Sequence, residues 1–451
     1  MKETDVEIIY SSDNDAIVKD RDKCVSCGYC VKTCRDEVTV ARMYEIDKSI
    51  EPICINCGQC TIYCPTESIH EKFDYLKVKH ILQDKSKVKV VSIAPAVRVA
   101  IGEEISFYQG ENLANKLVTA LKRLGFDYVF DITFGADLTI MEEASELVWR
   151  IEHQGVLPMF TSCCPSWVKY AEIFYPEYLP HLSTCKSPIT MQSTMIKTYF
   201  ARQKEISPED ICHVVIAPCT AKKSEIKRPE VNRAGEGIVD TDFVLTTREL
   251  ARLLKEENID LQNMLETSFD SPLGLGSSAG LIFGNSGGVC EAALRTAYYF
   301  MTHENLEKDA LKFQEVRGFQ GVKEASVLVG DEEIHVAVVN GMKNMKYFFD
   351  KMKDGTKKYH FVEVMNCLGG CIAGGGQPKT TLLQMQDMKK IRMRGIYEED
   401  ERSMLRLCHE NPEIKKIYSK FLEFPNSEVA HQYLHTSYED KSYLLGGEKH
   451  E

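Results

Sequence analysis

Long apolar runs are missing: none approaches the roughly 18 to 20 residues that a membrane helix needs, so no membrane association is expected of the 451 residues. The opening stretch MKETDVEIIYSSDNDA lacks both the basic segment and the apolar core of a secretory leader, and a cytoplasmic location is expected. Positive charge is also in short supply. Lys and Arg total 55 against 67 Asp and Glu, a net charge of -12, which argues against the sequence-independent phosphate binding of a nucleic-acid protein. Proline and glycine, at 15 and 28 residues, are too few for a collagen-like or low-complexity chain. With 43% hydrophobic and 27% charged residues, what remains is a globular protein of roughly two or three domains with a large buried core.

Cysteine, by contrast, is abundant, at 17 residues. A cytosolic chain does not normally spend cysteines on disulfides, so metal binding or redox chemistry is the better expectation. The spacing is specific. Cys24-x2-Cys27-x2-Cys30-x3-Cys34 recurs thirty residues later as Cys54-x2-Cys57-x2-Cys60-x3-Cys64, followed by Pro65. This is the bacterial ferredoxin rhythm, in which three thiolates of one run hold one 4Fe-4S cluster and the fourth ligates the other. It assigns Cys24, Cys27, Cys30 and Cys64 to one cluster, and Cys54, Cys57, Cys60 and Cys34 to a second. Structural zinc is the rival reading, but a zinc site wants four ligands with a wider gap between its CxxC halves. The first run lacks a proline after Cys34, which removes no ligand.

Beyond a polar, Lys-rich connection at about 66–86, apolar runs of strand length occur at 88–95, 126–133, 156–160, 213–217 and 334–340. They alternate with helix-period stretches at 111–124, 137–152, 246–257 and 289–301, the rhythm of a mostly parallel sheet flanked by helices. Ligands of such sheets gather at the carboxyl ends of strands. There lie Cys163 and Cys164, after the 156–160 run, and Cys219, after the 213–217 run. Cys367 and Cys371 precede Gly374-Gly375-Gly376, glycines expected to let backbone approach a bulky group closely. Four thiolates from three loops suffice for another 4Fe-4S cluster. Adjacent residues rarely both bind one cluster, so one of Cys163 and Cys164 is expected to be a ligand and the other a free thiol. On the 137–152 helix, Glu143, Glu146 and Arg150 share a stripe of roughly 60 degrees bordering an apolar one. By periodicity alone that stripe is more often a solvated face.

The segments TSCCPSW (161–167), PCTAKKSE (218–225) and EVMNCLGGCIAGGGQP (363–378) closely resemble the three signature motifs of the iron-only, or FeFe, hydrogenases. APAVR (94–98), ADLTIMEEASELVWR (136–150), LSTCKSP (182–188), DFVLTTREL (242–250), GGVCEAALRTAY (287–298) and LHTSY (434–438) extend the resemblance over about 365 residues. It implies an α/β fold: a two-lobed hydrogenase catalytic domain of mostly parallel sheets flanked by helices, preceded by a small α+β ferredoxin-like domain. The implied boundaries are 1–85 for the ferredoxin-like domain with its connection, 86–425 for the catalytic domain and 426–451 for a small-subunit-like tail.

Carried over position by position, the resemblance makes Cys164, Cys219, Cys367 and Cys371 the ligands of the cubane part of an H-cluster. Cys371 would bridge to a di-iron subsite bearing carbon monoxide, cyanide and a bridging dithiolate. Lys222 would hydrogen-bond a cyanide, Met365 would lie near the bridging carbonyl, and Pro95, Ala96 and Ala217 would line the cofactor. Cys163 becomes the free thiol, the end of a proton pathway through Glu143, Glu146, Ser183 and Arg150. The chain departs from the best-studied members at Ala217 (their Met), Ala96 (Ser), Ile189 (Gln), and Asn366 and Cys185 (Ala), which removes contacts that tune a metal site and suggests a divergent subgroup. The implied activity is reversible interconversion of dihydrogen with two protons and two electrons. The implied partners are a ferredoxin-like electron carrier and the maturation proteins that insert the di-iron subsite. Two alternatives stand beside it: a hydrogen sensor of low turnover, and a hydrogenase-like iron-sulfur assembly factor, a group that generally loses the free thiol. Cys185, Cys212, Cys290 and Cys408 have no role in this reading.

Overall fold

The apolar run after residue 87 forms the centre of a four-stranded parallel sheet in the computed structural model, which describes residues 11–44, 52–105, 109–307, 312–329, 332–355 and 357–446. The first ten residues, part of the stretch read for a leader, lie outside the described residues. The strands are β1 (Ile17–Lys19), β2 (Ile69–Glu71), β3 (Val88–Ile93), β4 (Tyr128–Asp131), β5 (Met159–Phe160), β6 (Ile211–Ala217), β7 (Phe243–Thr246), β8 (Val322–Val329), β9 (Glu332–Asn340) and β10 (Phe361–Met365). One sheet runs β4-β3-β6-β7, all parallel. A second runs β5-β10-β9-β8, with only β8 antiparallel to its neighbour. The parallel strands are buried on both faces, which is why they read as continuous apolar runs rather than alternating ones.

Helices cover both sheets. Ala114–Leu124 buries Leu117, Val118 and Leu121, spaced for one face, and ends on Gly125 in the left-handed region at φ 107°. Thr247–Glu256 opens on a capping box formed by Thr246 and Glu249. The 126–133 run is a strand only to Asp131. There the Asp131 side chain accepts from the Thr133 amide at 2.9 Å, and the chain turns directly into the 21-residue helix Ile132–Glu152, five residues earlier than its periodicity suggests. Among the described residues, no helix is long and apolar enough to cross a membrane.

The internal repeat is visible in the backbone. Ser26 and Asn56 have φ of 53° and 59°, Gly28 and Gly58 have 75° and 68°, and each pair occupies equivalent repeat positions. A short helix follows each glycine, Tyr29–Lys32 and Gln59–Tyr63. The 66–86 connection is more ordered than its polar composition suggests. It contains β2, which pairs antiparallel with β1, and the helix Tyr75–Ile81. A three-residue strand whose partner lies fifty residues upstream leaves no periodic signal.

Arg248, on the helix after β7, fastens this N-terminal unit to the sheet. Its guanidinium pairs with Glu71 of β2 at 2.5 Å and donates to the Thr61 hydroxyl at 3.0 Å and the Gln377 carbonyl at 2.7 Å. Although burial opposes the charge, the arginine holds the Glu71 carboxyl down at about 2. The stabilisation is therefore complete above the ordinary glutamate value of 4.5 and is lost as pH falls toward 2. Replacing Arg248 by Met should leave Glu71 buried and unpaired, at a cost of roughly 3–5 kcal/mol. Thermal unfolding should begin earlier, and limited proteolysis should release the N-terminal unit first.

Candidate active site

The carboxyl ends of both sheets meet at one cavity. Ala94, Pro95 and Ala96 follow β3, Ala217, Pro218 and Cys219 end or follow β6, Cys163 and Cys164 follow β5, and Met365, Asn366 and Cys367 end or follow β10; all of them line it. Cys371, Lys222, Ile189 and Phe283 complete the wall. The lining is almost wholly apolar apart from the sulfurs and the Lys222 ammonium. Every residue named from the sequence as cofactor-lining is thus brought to one place.

Four thiols, of Cys164, Cys219, Cys367 and Cys371, sit close enough to perturb one another. Burial, and then the neighbouring sulfurs, push Cys219 and Cys367 up to about 12 and Cys371 higher. Free thiols there would stay protonated. A cationic iron-sulfur core would hold them as thiolates, so the donor set fits the group that the spacing implies. Gln59, between two cysteines of the second run, donates from Nε2 to Cys367 Sγ at 3.1 Å and to the Ala373 carbonyl at 2.9 Å. Cys57 is raised by burial first and then by Cys60, Cys367 and Cys54, so the second run abuts this cavity.

The eight N-terminal cysteines lie in two adjoining neighbourhoods. Cys24, Cys27, Cys30 and Cys64 line one small pocket. Cys34 lies instead beside Cys54, and burial followed by that neighbour lifts it to about 12. The glycines after Cys371 serve a different purpose from the expected one. A Cβ on Gly375 would meet the Cys57 carbonyl at 2.3 Å and the Gly58 backbone at 2.6 Å, and one on Gly374 would meet the Pro218 carbonyl at 2.2 Å. They allow loop to close on loop, and so bring Cys57 against Cys367; only Gly374 also borders the cavity.

Lys222 is no surface lysine. It is 7% exposed, and its ammonium donates to Glu225 at 2.7 Å and to the Cys163 carbonyl at 3.1 Å. Glu225 escaped the sequence reading, although its position three residues along the same helix is a signal for a paired carboxylate.

Behind Cys163 the charged stripe of the long helix is buried, not solvated. Glu143 is 0%, Glu146 8%, Arg150 7% and Ser183 0% exposed. Arg150 donates to Glu146 Oε1 at 2.6 Å, and the Ser183 hydroxyl donates to Glu146 Oε2 at 2.8 Å. Glu143 lies beside Cys163, and the Ser162 backbone and the Ser183 side chain give its carboxyl only weak hydrogen-bonding support. Burial, reinforced by Glu146, lifts its carboxyl to about 8. Burial and then Glu143 keep Cys163 a neutral thiol. The C-terminal tail holds this arrangement: the Tyr438 hydroxyl donates to the Ser183 carbonyl, and the Thr436 amide to the Thr184 carbonyl at 2.8 Å. The tail residues left no signal of this, because their partners lie 250 residues away.

The description of the iron only hydrogenase large subunit, C-terminal domain, matches residues 87–375, and that of the iron hydrogenase small subunit matches 386–441. The chain belongs to the iron-only hydrogenases. It is 42% identical over 438 residues to iron hydrogenase 1 of Clostridium pasteurianum, covering 94% of this chain and 76% of that one. Identity is 43% over 443 residues with the NADP-reducing hydrogenase subunit HndD of Solidesulfovibrio fructosivorans, 94% and 74% of the two chains. A cytosolic Fe-S cluster assembly factor of Danio rerio is more distant, 32% identical over 403 residues, 85% of this chain and 94% of that one. Among solved structures, the apo FeFe hydrogenase HydA1 of Chlamydomonas reinhardtii superposes with a TM-score of 0.72 at 40% identity, covering 83% of this chain and all of that one. The α/β architecture of parallel sheets and flanking helices is therefore that of the FeFe hydrogenases. The chain is a hydrogenase enzyme by that membership.

A carboxyl lifted to about 8 is favoured in its neutral form by folding. Its contribution to stability is whole below 4.5 and declines as pH rises through 8. Glu143→Gln should therefore become more stable relative to the parent in mildly alkaline buffer, read as the difference between their thermal midpoints across pH. The same variant should lose hydrogen turnover by roughly 10²- to 10⁴-fold, the usual worth of a positioned acid-base group.

Proposed function

We propose that this hydrogenase interconverts dihydrogen with two protons and two electrons, with protons carried along Arg150, Glu146, Ser183 and Glu143 to Cys163. The observation that carries this reading is Cys163 itself, a half-buried neutral thiol that lines the cysteine cavity and is backed by the buried Glu143 carboxyl. When bound, an H-cluster, with its cubane on Cys164, Cys219, Cys367 and Cys371, supplies the making and breaking of the hydrogen–hydrogen bond. Lys222 presents the one ammonium on the cavity wall and would neutralise an anionic ligand by a charge-assisted hydrogen bond. Met365, Pro95, Ala96, Ala217 and Ile189 exclude water around it. Protons that reach Cys163 are held on sulfur until passed into the cavity, and Glu143 reloads it.

Electrons are proposed to cross two accessory 4Fe-4S clusters in the N-terminal unit, residues 1–85, with the cluster of Cys54, Cys57, Cys60 and Cys34 next to the cavity. The catalytic domain, 86–425, and the small-subunit-like tail, 426–451, complete the proposed organisation. A ferredoxin-like carrier fits the N-terminal unit as outer partner, and loading of the di-iron part by maturation proteins is part of the same reading. We place the protein in the cytoplasm because twelve of its seventeen cysteines are assigned here as cluster thiolates, a use of cysteine that suits a reducing compartment. The assembly-factor reading draws on relatives near 30% identity, but such a factor has no use for Cys163 or for a buried carboxyl relay behind it. A sensor of low turnover would keep the same cavity, and the altered positions Ala217 and Ala96 fit either use.

Two substitutions of adjacent residues test the division of labour. Cys163→Ala should abolish turnover with iron content and the infrared bands of carbonyl and cyanide retained, whereas Cys164→Ala should lose the cluster. Equal loss of iron in both would refute the assignment, and full activity in Cys163→Ala would return the protein to the assembly-factor reading. The crossing of ligands is open to a separate measurement. Cys64→Ala should remove the paramagnetic signal of the cluster held by Cys24, Cys27 and Cys30 and slow turnover with a protein carrier; loss of the other signal instead would reverse the assignment.

A further inference from the structure

Cys185 stands apart from the other cysteines left without a role. All four are buried among core side chains, but Cys185 alone of them also sits in a group of three possible metal donors among the described residues. The Cys185 sulfur, 1% exposed, faces Glu146 Oε2 at 3.7 Å. A ring nitrogen of His435 completes a group of three donor atoms within 4.8 Å of one another, all on buried residues. A tetrahedral zinc ion, with bonds of about 2.3 Å to sulfur and about 2.0–2.2 Å to oxygen, sets those two atoms roughly 3.5 Å apart. Cys185 and Glu146 already stand close to that separation.

His435 is oriented as a metal-binding histidine is. Its Nε2 lies 3.1 Å from Glu142 Oε2, and Glu142 is fixed in turn by the Tyr418 hydroxyl at 2.5 Å and the Asn426 amide at 2.7 Å. A carboxylate behind the ring is the usual support for a ligating imidazole. The other nitrogen, Nδ1, is 2.7 Å from the Thr184 hydroxyl, which itself lies 3.5 Å from Glu146 Oε2. Nδ1 thus faces the Glu146 side. Arg150 occupies Glu146 Oε1, leaving Oε2 toward Cys185. Glu142 adds a second carboxyl group behind His435. An approach exists too: a cavity lined by Ser162, Ser187, Glu225 and Tyr438 reaches Cys185; of its four cations, Arg228 and Lys441 pair with Glu172, Lys186 with Asp240, and Lys169 donates to Asn56.

We infer that Glu146, Cys185 and His435 form a binding site for a borderline-soft divalent cation of the zinc or cadmium class, and that filling it stalls hydrogen turnover by withdrawing Glu146 from proton transfer. The second half rests on the relay proposed above. On binding, the metal–sulfur bond replaces the Cys185 sulfur–hydrogen bond, and the proton leaves to solvent. No electron moves. The ion displaces the Ser183 and Thr184 hydrogen bonds from Glu146 Oε2, so the carboxylate is no longer available to receive a proton.

The test uses the cluster-loaded enzyme titrated with cadmium, read by cadmium–thiolate charge-transfer absorption and by equilibrium dialysis. The parent should bind one more cadmium than Cys185→Ala. Glu142→Gln, which keeps the shape but weakens the support of the imidazole, should bind it roughly 10- to 100-fold more weakly. Zinc should inhibit the parent, reversibly with a chelator and with iron content unchanged. It should not inhibit Cys185→Ala, whose turnover in metal-free buffer should match the parent. Equal cadmium binding by parent and Cys185→Ala would overturn the site. Binding with undiminished turnover would overturn its inhibitory role. Glu146→Gln in metal-free buffer judges the relay independently: parent-like turnover there would sink the relay, whereas a site that merely fails to bind fails alone.

Discussion

Four buried sulfurs turned toward one another in an apolar cavity are tolerable as neutral thiols or as ligands of a shared cationic core. They cannot be thiolates without that core, since burial and mutual repulsion together lift Cys219 and Cys367 to about 12. The rest of the molecule answers this constraint. Both sheets point the carboxyl ends of their parallel strands at the same space, so three loops deliver four cysteines to it while the backbones stay satisfied in the strands. The wall is apolar because a charged or wet one would compete with the core for the sulfurs. The single ammonium of Lys222 is tolerated because Glu225 neutralises it whenever no anionic ligand does.

A dry cavity creates a transport problem, and the structure meets it with separate routes built from different materials. Loop-to-loop contact serves the electron side. Gly375 and Gly58 let the Cys57 backbone press against the loop that carries Cys371, and Gln59 bonds directly to Cys367 Sγ, while Arg248 keeps the whole unit seated through Glu71. Acid-base groups serve the proposed proton side. Their carboxyls sit in contrasting surroundings: Glu146 is held between Arg150 and Ser183, and Glu143, one helical turn away, is only weakly supported and is lifted by burial to about 8.

The cysteine groups were readable from the chain because iron-sulfur ligand runs are local, three sulfurs falling within seven residues, and because the loops that follow parallel strands carry the remainder. The burial of β3 and β6 followed from continuous apolar runs. Other features depended on distant partners and left no such trace. The 143–150 stripe has the same periodicity whether solvent or protein covers it, so its burial is a tertiary fact. Strand β2 has three residues and pairs with β1 across fifty. Gln59 lies inside a ligand run and is indistinguishable there from a spacer. The glycines after Cys371 were read as space for a cofactor, but the tightest approaches at Gly375 are to the backbone of the N-terminal unit, which no local pattern encodes.

The C-terminal tail explains why a segment matching a small subunit belongs on this chain. Leu434, Thr436 and Tyr438 bond to the backbone of 183–186, the stretch that supplies Ser183 to Glu146. In place of a helix or sheet of its own, that stretch has a single parallel bridge to Phe160 and an antiparallel one to His435. Without the tail, the amide of Lys186 and the carbonyls of Ser183 and Thr184 would lose their partners at a buried position, and the relay serine would lose the framework that aims it. The tail also delivers His435 to the carboxylate side of the long helix, so one segment both orders the proposed proton path and sets beside it the imidazole that completes a metal-binding triad. A contact made for stability and a contact able to interrupt function are here the same few residues, and both meet at Glu146 Oε2.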